Sequence, residues 1–374
     1  LLNNPAGVAE HPDIMETIEK EIDIMSEYND KLEILEEFFP IADENDKEVI
    51  IVSSGAIAMG AKDLDLDMKN MKIDMNQAVS AVGQIHLMGS FKSAFEKNEI
   101  KISQILLTLD DTEQRRRSIN ARRTIDTLLK LGIVPVVNEN DTIATSEIRY
   151  GDNDRLASRV AQITSADCLI LLSNINGLYS ADPSTDEDVK LINKVSEIDK
   201  DIEKMIGQSI SDYGKGGMKT KIQAAKTAML SGCHLAITNG SIMRPVKSLF
   251  EGRPCTWFEP TKTPLAARKQ WIAGTMKPVG KIIIDDGAVD ALKKGSSLLP
   301  AGVKSVEGNF ERGDVIEVLS SDQNKIGIGL AGYAAEESIK IMGHKSDEIA
   351  NILSYSYREE MIHKDDLVLI WVLN

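Results

Sequence analysis

No apolar run in these 374 residues approaches the ~20 needed to span a bilayer as a helix. The acid-rich start also lacks the basic n-region of a secretory signal. Cysteine is scarce: Cys168, Cys233 and Cys255 lie far apart, with no CxxC pair. That excludes a disulfide framework and a cysteine zinc site, and it fits small core residues in a reducing compartment. The five histidines show no metal-binding spacing. Positive charge is in the minority, 43 Lys and Arg against 58 Asp and Glu, for a net charge of −15. Such a balance disfavours nonspecific binding to DNA or to an anionic membrane. Internal repeats and low-complexity tracts are absent as well. The expectation is a cytoplasmic protein with no membrane partner.

What is present is ordinary for a globular chain: 42% hydrophobic and 27% charged residues, at a length that suits two domains. Residues 1–46 carry Ile14, Ile18, Ile22 and Met25, then Leu32, Leu35, Phe38 and Phe39, at helical spacing among acids. The spacing predicts two amphipathic helices and no strand. The chain opens on Leu1 rather than methionine, so this segment reads as a replaced, truncated or misread start. Strand-like runs then alternate with helical patterns: strands at 48–52, 102–107, 133–137, 168–172 and 234–238, with helices at 76–95, after Arg115, at 156–163 and at 222–229. The helix after Arg115, Arg116 and Arg117 adds Arg122 and Arg123, a basic face turned to solvent, to phosphate or to another subunit. Such alternation predicts an α/β fold, a mainly parallel sheet sandwiched by helices. From Gly280 short β runs (281–284, 314–319, 325–330, 366–372) between glycine turns predict a small, mostly β domain. The expected organisation is an atypical helical segment at 1–46, an α/β domain at 47–260, a linker at 261–276 and the β domain at 277–374.

Polar clusters gather where strands end. The apolar run at 133–137 leads directly into Asn138, Glu139, Asn140 and Asp141, the place where open α/β sheets bind ligands. Pro135 within that run argues for a sheet edge or a break in pairing. Gly151, Asp152, Asn153 and Asp154 follow, just ahead of a helix; two carboxylates around an amide suit a hard cation or a substrate ammonium, while a solvated loop with an N-cap is the plainer alternative. Residues 53–60 (SSGAIAMG) form a small-residue turn opening a helix, with free N–H groups for an anion. Ser173 and Asn174 end the strand at 168–172. Residues 214–221 (GKGGMKTK) place Lys215, Gly216, Gly217, Met218, Lys219, Thr220 and Lys221 at a predicted helix start, suiting phosphate, although the Walker A spacing is absent.

Taken together, SSGAIAMG at 53–60, AVGQ at 81–84, NENDTIATSEIRYGDND at 138–154, NGLYSADP at 176–183, GKGGMKTK at 214–221, RKQW at 268–271 and GSSLLPAGV at 295–303 resemble the glutamate 5-kinases. These are amino-acid kinase family enzymes with a C-terminal PUA domain, and the resemblance covers residues 45–370. It implies ATP-dependent phosphorylation of the γ-carboxylate of L-glutamate, with ATP and Mg²⁺ as cofactors, as the first step of proline synthesis. By position in the motifs it implies glutamate binding by Ser54, Asp141 and Asn153, with Asn138 and Asp152 beside them. ATP binding falls to Ser173, Asn174 and residues 215–221. Lys221 matches the lysine beside the transferring phosphoryl group, and Asp152 and Asp154 stand where the family has acids near substrate and Mg²⁺. The resemblance further implies a dimer or tetramer, proline as feedback inhibitor, and RNA as a partner of the PUA-like domain, where only dispersed basic residues occur. Two departures stand out. Residues 1–46 hold no Lys-x-Gly-[Ser/Thr] phosphate loop, and Asn174 replaces the usual aspartate.

Overall fold

The computed structural model describes residues 47–68, 71–144, 152–181, 183, 189–208, 212–242, 244–275, 277–355 and 358–370. The two helices expected before residue 47 lie outside them. The chain divides into two compact units, Leu1–Thr261 and Lys262–Asn374.

The first half of unit 1 runs β1 (Ile51–Val52), α1 (Ala56–Asp63), α2 (Ile73–Glu96), β2 (Lys101–Leu107), α3 (Leu109–Glu113), α4 (Arg115–Lys130), β3 (Ile133–Glu139) and α5 (Asp152–Thr164). Three strands pair in the order β1-β3-β2, all parallel. The proline-bearing strand is therefore central, not an edge, and Val136 and Val137 are fully buried. The exception has a local cause. Ser53 N donates to Val137 O at 2.8 Å, so Val137 faces β1 and Pro135, two residues earlier, faces the same way. Its missing N–H points where β1 has not yet begun, since that pairing starts at Ile51 opposite Val136. The same defect explains why β1 is two residues long rather than the five of EVIIV.

The second half adds β4 (Cys168–Ser173), β5 (Lys194–Val195), α6 (Lys200–Gln208), α7 (Asp212–Leu230), β6 (His234–Asn239), α8 (Pro245–Phe250) and β7 (Thr256–Phe258). Its sheet order is β4-β6-β7-β5, parallel except between β6 and β7. The glycine–lysine segment does not precede a helix beginning at Ile222; it lies inside α7. Buried Ile222, Ala224, Ala225 and Ala228 join Leu235, Ile237 and Phe258 in one core, and Met218 packs on it. That burial outweighs the ~1 kcal/mol that each helical glycine costs. Cys233 and Cys255 are buried as expected, whereas Cys168, first residue of β4, is exposed.

Unit 2 comprises α9 (Pro264–Thr275), β8 (Gly280–Ile284), α10 (Asp286–Lys293), β9 (Val303–Gly308), β10 (Val315–Ser320), β11 (Lys325–Leu330), α11 (Ala335–Ile341), α12 (Ile349–Leu353) and β12 (Leu367–Leu369). Residues 264–275, read as linker, are thus a helix of this unit. Arg268 of α9 binds Asp366 through Nε at 3.1 Å and Nη2 at 2.6 Å, and Arg358 lies 3.9 Å from the other carboxylate oxygen. The sheet order is β12-β11-β10-β8-β9, antiparallel except for β8 with β10. Tyr333, Phe310, Ile282, Ile284 and Ile316 form its core. Neither β9 nor the short helices were visible in the sequence, because their apolar residues are too few to set a period.

Candidate active site

The site grows from the crossing of α1 and α2. A Cβ on Gly83 would stand 1.7 Å from Ala56 O, and one on Gly60 would stand 2.0 Å from Val79 O. Only paired glycines let the two backbones touch in this way. The contact fixes the start of α1, whose N-cap Gly55 sits at φ 103 with no side-chain cap. The N-cap residue therefore offers the first N–H groups of α1 no side-chain oxygen, and Gly55, Ala56 and Ile57 line a small cavity.

The opposite wall of that cavity is acceptor-rich: Asn138 and Glu139 from the end of β3, and Asp141 just beyond it. Ser54 and Asn153 complete it. Asn138 is only 3% exposed, and its Nδ2 donates to Gln84 Oε1 on α2 at 2.7 Å. The loop after β3 is tied down twice, by Asn140 N to Leu107 O at 3.0 Å and by Gln77 Nε2 to Ala144 O at 2.9 Å. A second cavity of about 440 Å³ adjoins the first, sharing Glu139 and Asp141; Ile85, Met88 and Leu106 give it an apolar wall, with Gln84 and Gln104 beside them.

One residue past Asn153, Asp154 accepts from Lys221 Nζ at 3.0 Å and from Thr220 Oγ1 at 2.9 Å. Both members of the ion pair are largely buried, 13% and 16% exposed. The pair joins the first turn of α5 to α7. Ser173 and Asn174 lie at the carboxyl end of β4, where Ser173 O accepts from Gly240 N at 2.7 Å. Lys219 is exposed, Gly217 is buried, and Met218 faces the core of its unit. The side chains of Asp152 and Lys215 lie outside the described residues, as does Gly151, while Gly216 falls within α7.

Of the residues singled out from the sequence, Ser54, Asn138, Asp141 and Asn153 meet in one cavity, and Asp154, Thr220 and Lys221 form one polar cluster. Gln84 was given no role by its place in AVGQ. Its hydrogen bond spans 54 positions of sequence, and no local pattern marks it. Among the described residues no group of three or more His, Cys, Asp or Glu could hold a metal ion. Nor is there a poised thiolate: desolvation by the surrounding protein and the charge of Asp167 push the Cys168 thiol up to about 11 although the residue keeps contact with solvent, and burial pushes Cys233 up to about 12 and raises Cys255 as well.

Residues 26–239 match the amino acid kinase family and residues 280–353 the PUA domain. The first match begins inside the segment that the sequence sets apart. The chain is 57% identical over 325 residues, 87% of its length and 88% of the relative's, to a glutamate 5-kinase of Pelagibacter ubique. It is 52% identical over 323 residues, 86% of its length and 87% of the relative's, to a glutamate 5-kinase of Paramagnetospirillum magneticum. Among solved structures, carbamate kinase from Giardia lamblia bound to AMP-PNP aligns with TM-score 0.44 and 15% identity, over 61% of this chain and 88% of that one, too distant a likeness to argue from.

Proposed function

We propose that this chain, which belongs to the amino acid kinase family, transfers the terminal phosphoryl group of ATP to the γ-carboxylate of L-glutamate, giving L-glutamyl 5-phosphate for proline synthesis. One observation carries the reading. The cavity is lined both by the helix-start residues Gly55, Ala56 and Ile57 and by oxygen-bearing Asn138, Glu139 and Asp141, and one of its residues, Asn153, directly precedes the Asp154 that pairs with Lys221.

The lining of this small cavity carries partners for both charged groups of an α-amino acid, and the adjoining cavity of about 440 Å³ gives one room. Its carboxylate suits the uncapped start of α1, and its ammonium suits the wall of Asn138, Glu139 and Asp141. The side-chain carboxylate then extends past Asn153 toward Lys221. No general base is needed, because a γ-carboxylate is already ionised at neutral pH. Two anions must instead be brought into line, so positioning and charge neutralisation carry the catalysis. Lys221 supplies charge beside the transferring group, and Asp154 with Thr220 keeps its ammonium from swinging away.

Ser173, Asn174 and residues 215–221 form the nucleotide side of this reading, with Lys215, Lys219 or Lys221 taking the part of the lysine absent from residues 1–46. Asp154, the carboxylate beside Lys221, fits Mg²⁺ carried in by the triphosphate, since Mg²⁺ ordinarily takes one or two carboxylates together with substrate phosphates. Asp154 would hold it, and the ion would neutralise phosphate charge. Assembly as a dimer or tetramer and inhibition by proline belong to the same reading, checked by light scattering and by adding proline to the assay.

The test is ADP release by the purified chain with Mg-ATP, with and without L-glutamate. Glutamate-dependent turnover is expected. A folded, monodisperse sample that shows none overturns the proposal.

A further inference from the structure

We propose that Gln84 is a positioning residue that sets selectivity for the α-ammonium of the substrate, by holding the Asn138 carboxamide with its Oδ1 toward the cavity. This rests on reading the cavity as the amino-acid site.

A carboxamide has two nearly equal faces, a donor NH₂ and an acceptor oxygen, and only its partners decide which points where. Asn138 is buried at the end of β3, with its Nδ2 held by Gln84 Oε1 at 2.7 Å. With the NH₂ group engaged on the α2 side, the oxygen is what Asn138 offers to the cavity that it lines. Glu139 and Asp141, also oxygen-bearing, line the same cavity. Turned the other way, the amide would set N–H against an ammonium.

Gln84 is itself placed rigidly. It follows Gly83, whose Cα lies against the backbone of Ala56, the first residue of α1. The helix crossing that exposes the N–H wall of the cavity therefore also fixes the residue that orients the acceptor wall. This orientation carries a cost: Gln84 Nε2 is buried with no hydrogen bond among the described residues. A buried donor left unpaired is unfavourable, and native structures keep few of them without a reason. The unpaired donor is the cost of the orientation in which Oε1 holds Asn138.

The experiment measures direct binding of two probes by calorimetry, to the full chain and to variants. L-glutamate carries the ammonium; glutarate keeps both carboxylates and lacks it. Gln84→Met preserves length and removes both polar atoms. It should weaken L-glutamate about tenfold, as expected for a misplaced hydrogen bond to a charged group, and leave glutarate within about twofold. An Asn138→Asp background gives the decisive control, since a carboxylate shows an acceptor in either orientation. Adding Gln84→Met there should change L-glutamate affinity by no more than about twofold. Equal losses for both probes, or the same loss in both backgrounds, would mean that Gln84 only supports packing, and would overturn the inference. Wild-type chain that binds neither probe sinks the amino-acid reading and this inference with it. Unchanged L-glutamate affinity in Gln84→Met, beside normal wild-type binding, sinks the role of Gln84 alone.

Discussion

Replacing Lys221 by methionine separates what its ammonium does for chemistry from what it does for the fold. The ammonium lies 3.0 Å from Asp154 Oδ2, and the two side chains are 13% and 16% exposed. Losing one preorganised charge beside a transferring phosphoryl should lower kcat by about 10²–10³, or ~3–4 kcal/mol in the barrier. The same change strands a mostly buried carboxylate. Breaking a buried pair ordinarily costs ~3–5 kcal/mol, but Asp154 keeps the Thr220 hydroxyl at 2.9 Å and some contact with water, so ~2–3 kcal/mol is expected. Adding Asp154→Asn removes the stranded charge. The double variant should regain most of the lost stability in denaturant titrations while remaining inactive in the ADP-release assay. Turnover by Lys221→Met within about tenfold of wild type, or turnover restored in the double variant, would refute the assignment of Lys221 to phosphoryl transfer.

Gly83→Ala should destabilise unit 1 by ~3 kcal/mol or more, because its Cβ would meet Ala56 O and Gly60 N, backbone atoms that cannot give way; an unchanged unfolding midpoint would contradict the helix crossing. Arg268→Met should cost ~2 kcal/mol in unit 2, below the usual loss for a buried pair because Arg358 also lies near Asp366, read as an earlier unfolding transition of that unit. Acid should act partly through Asp111. Burial raises its pKa, but the Thr108 hydroxyl and N–H, with the Arg117 guanidinium, outweigh that and leave it below the ordinary 3.8. A carboxyl lowered in the folded state adds stability above its unfolded value that disappears as pH falls below about 3.8 through the folded value. Thr108→Val should therefore move the midpoint of acid unfolding to higher pH, and an unmoved midpoint would count against the reciprocal hydrogen bonds between Thr108 and Asp111 at the start of α3.

Strand–helix alternation, the polar ends of strands and the long motifs were legible in the sequence because each is a local property, set by side-chain period or by a few adjacent residues. So Asn138, Asp141, Asn153 and Ser54 could be named as candidates from the sequence, and they line one cavity. Their order in the chain also carried the family likeness. Three things were not legible. Pro135 pointed to an edge strand or a break in pairing, and which of the two holds was settled by register: the strand is central, and its pairing with β1 starts one residue after the proline. The glycine–lysine segment looked like a loop before a helix, but burial of the alanine-rich face of α7 overrides the glycine preference. Gln84 became visible only when Gly60 and Gly83 brought α2 against α1 and set its amide beside Asn138. The sequence by itself determined the alphabet of the site: which strand ends carry oxygen, and which turns free N–H groups. Tertiary structure alone decided the pairings, Gln84 with Asn138 and Asp154 with Lys221, since each joins residues more than fifty positions apart. Long-range contacts of this kind are set by packing, which no local pattern encodes.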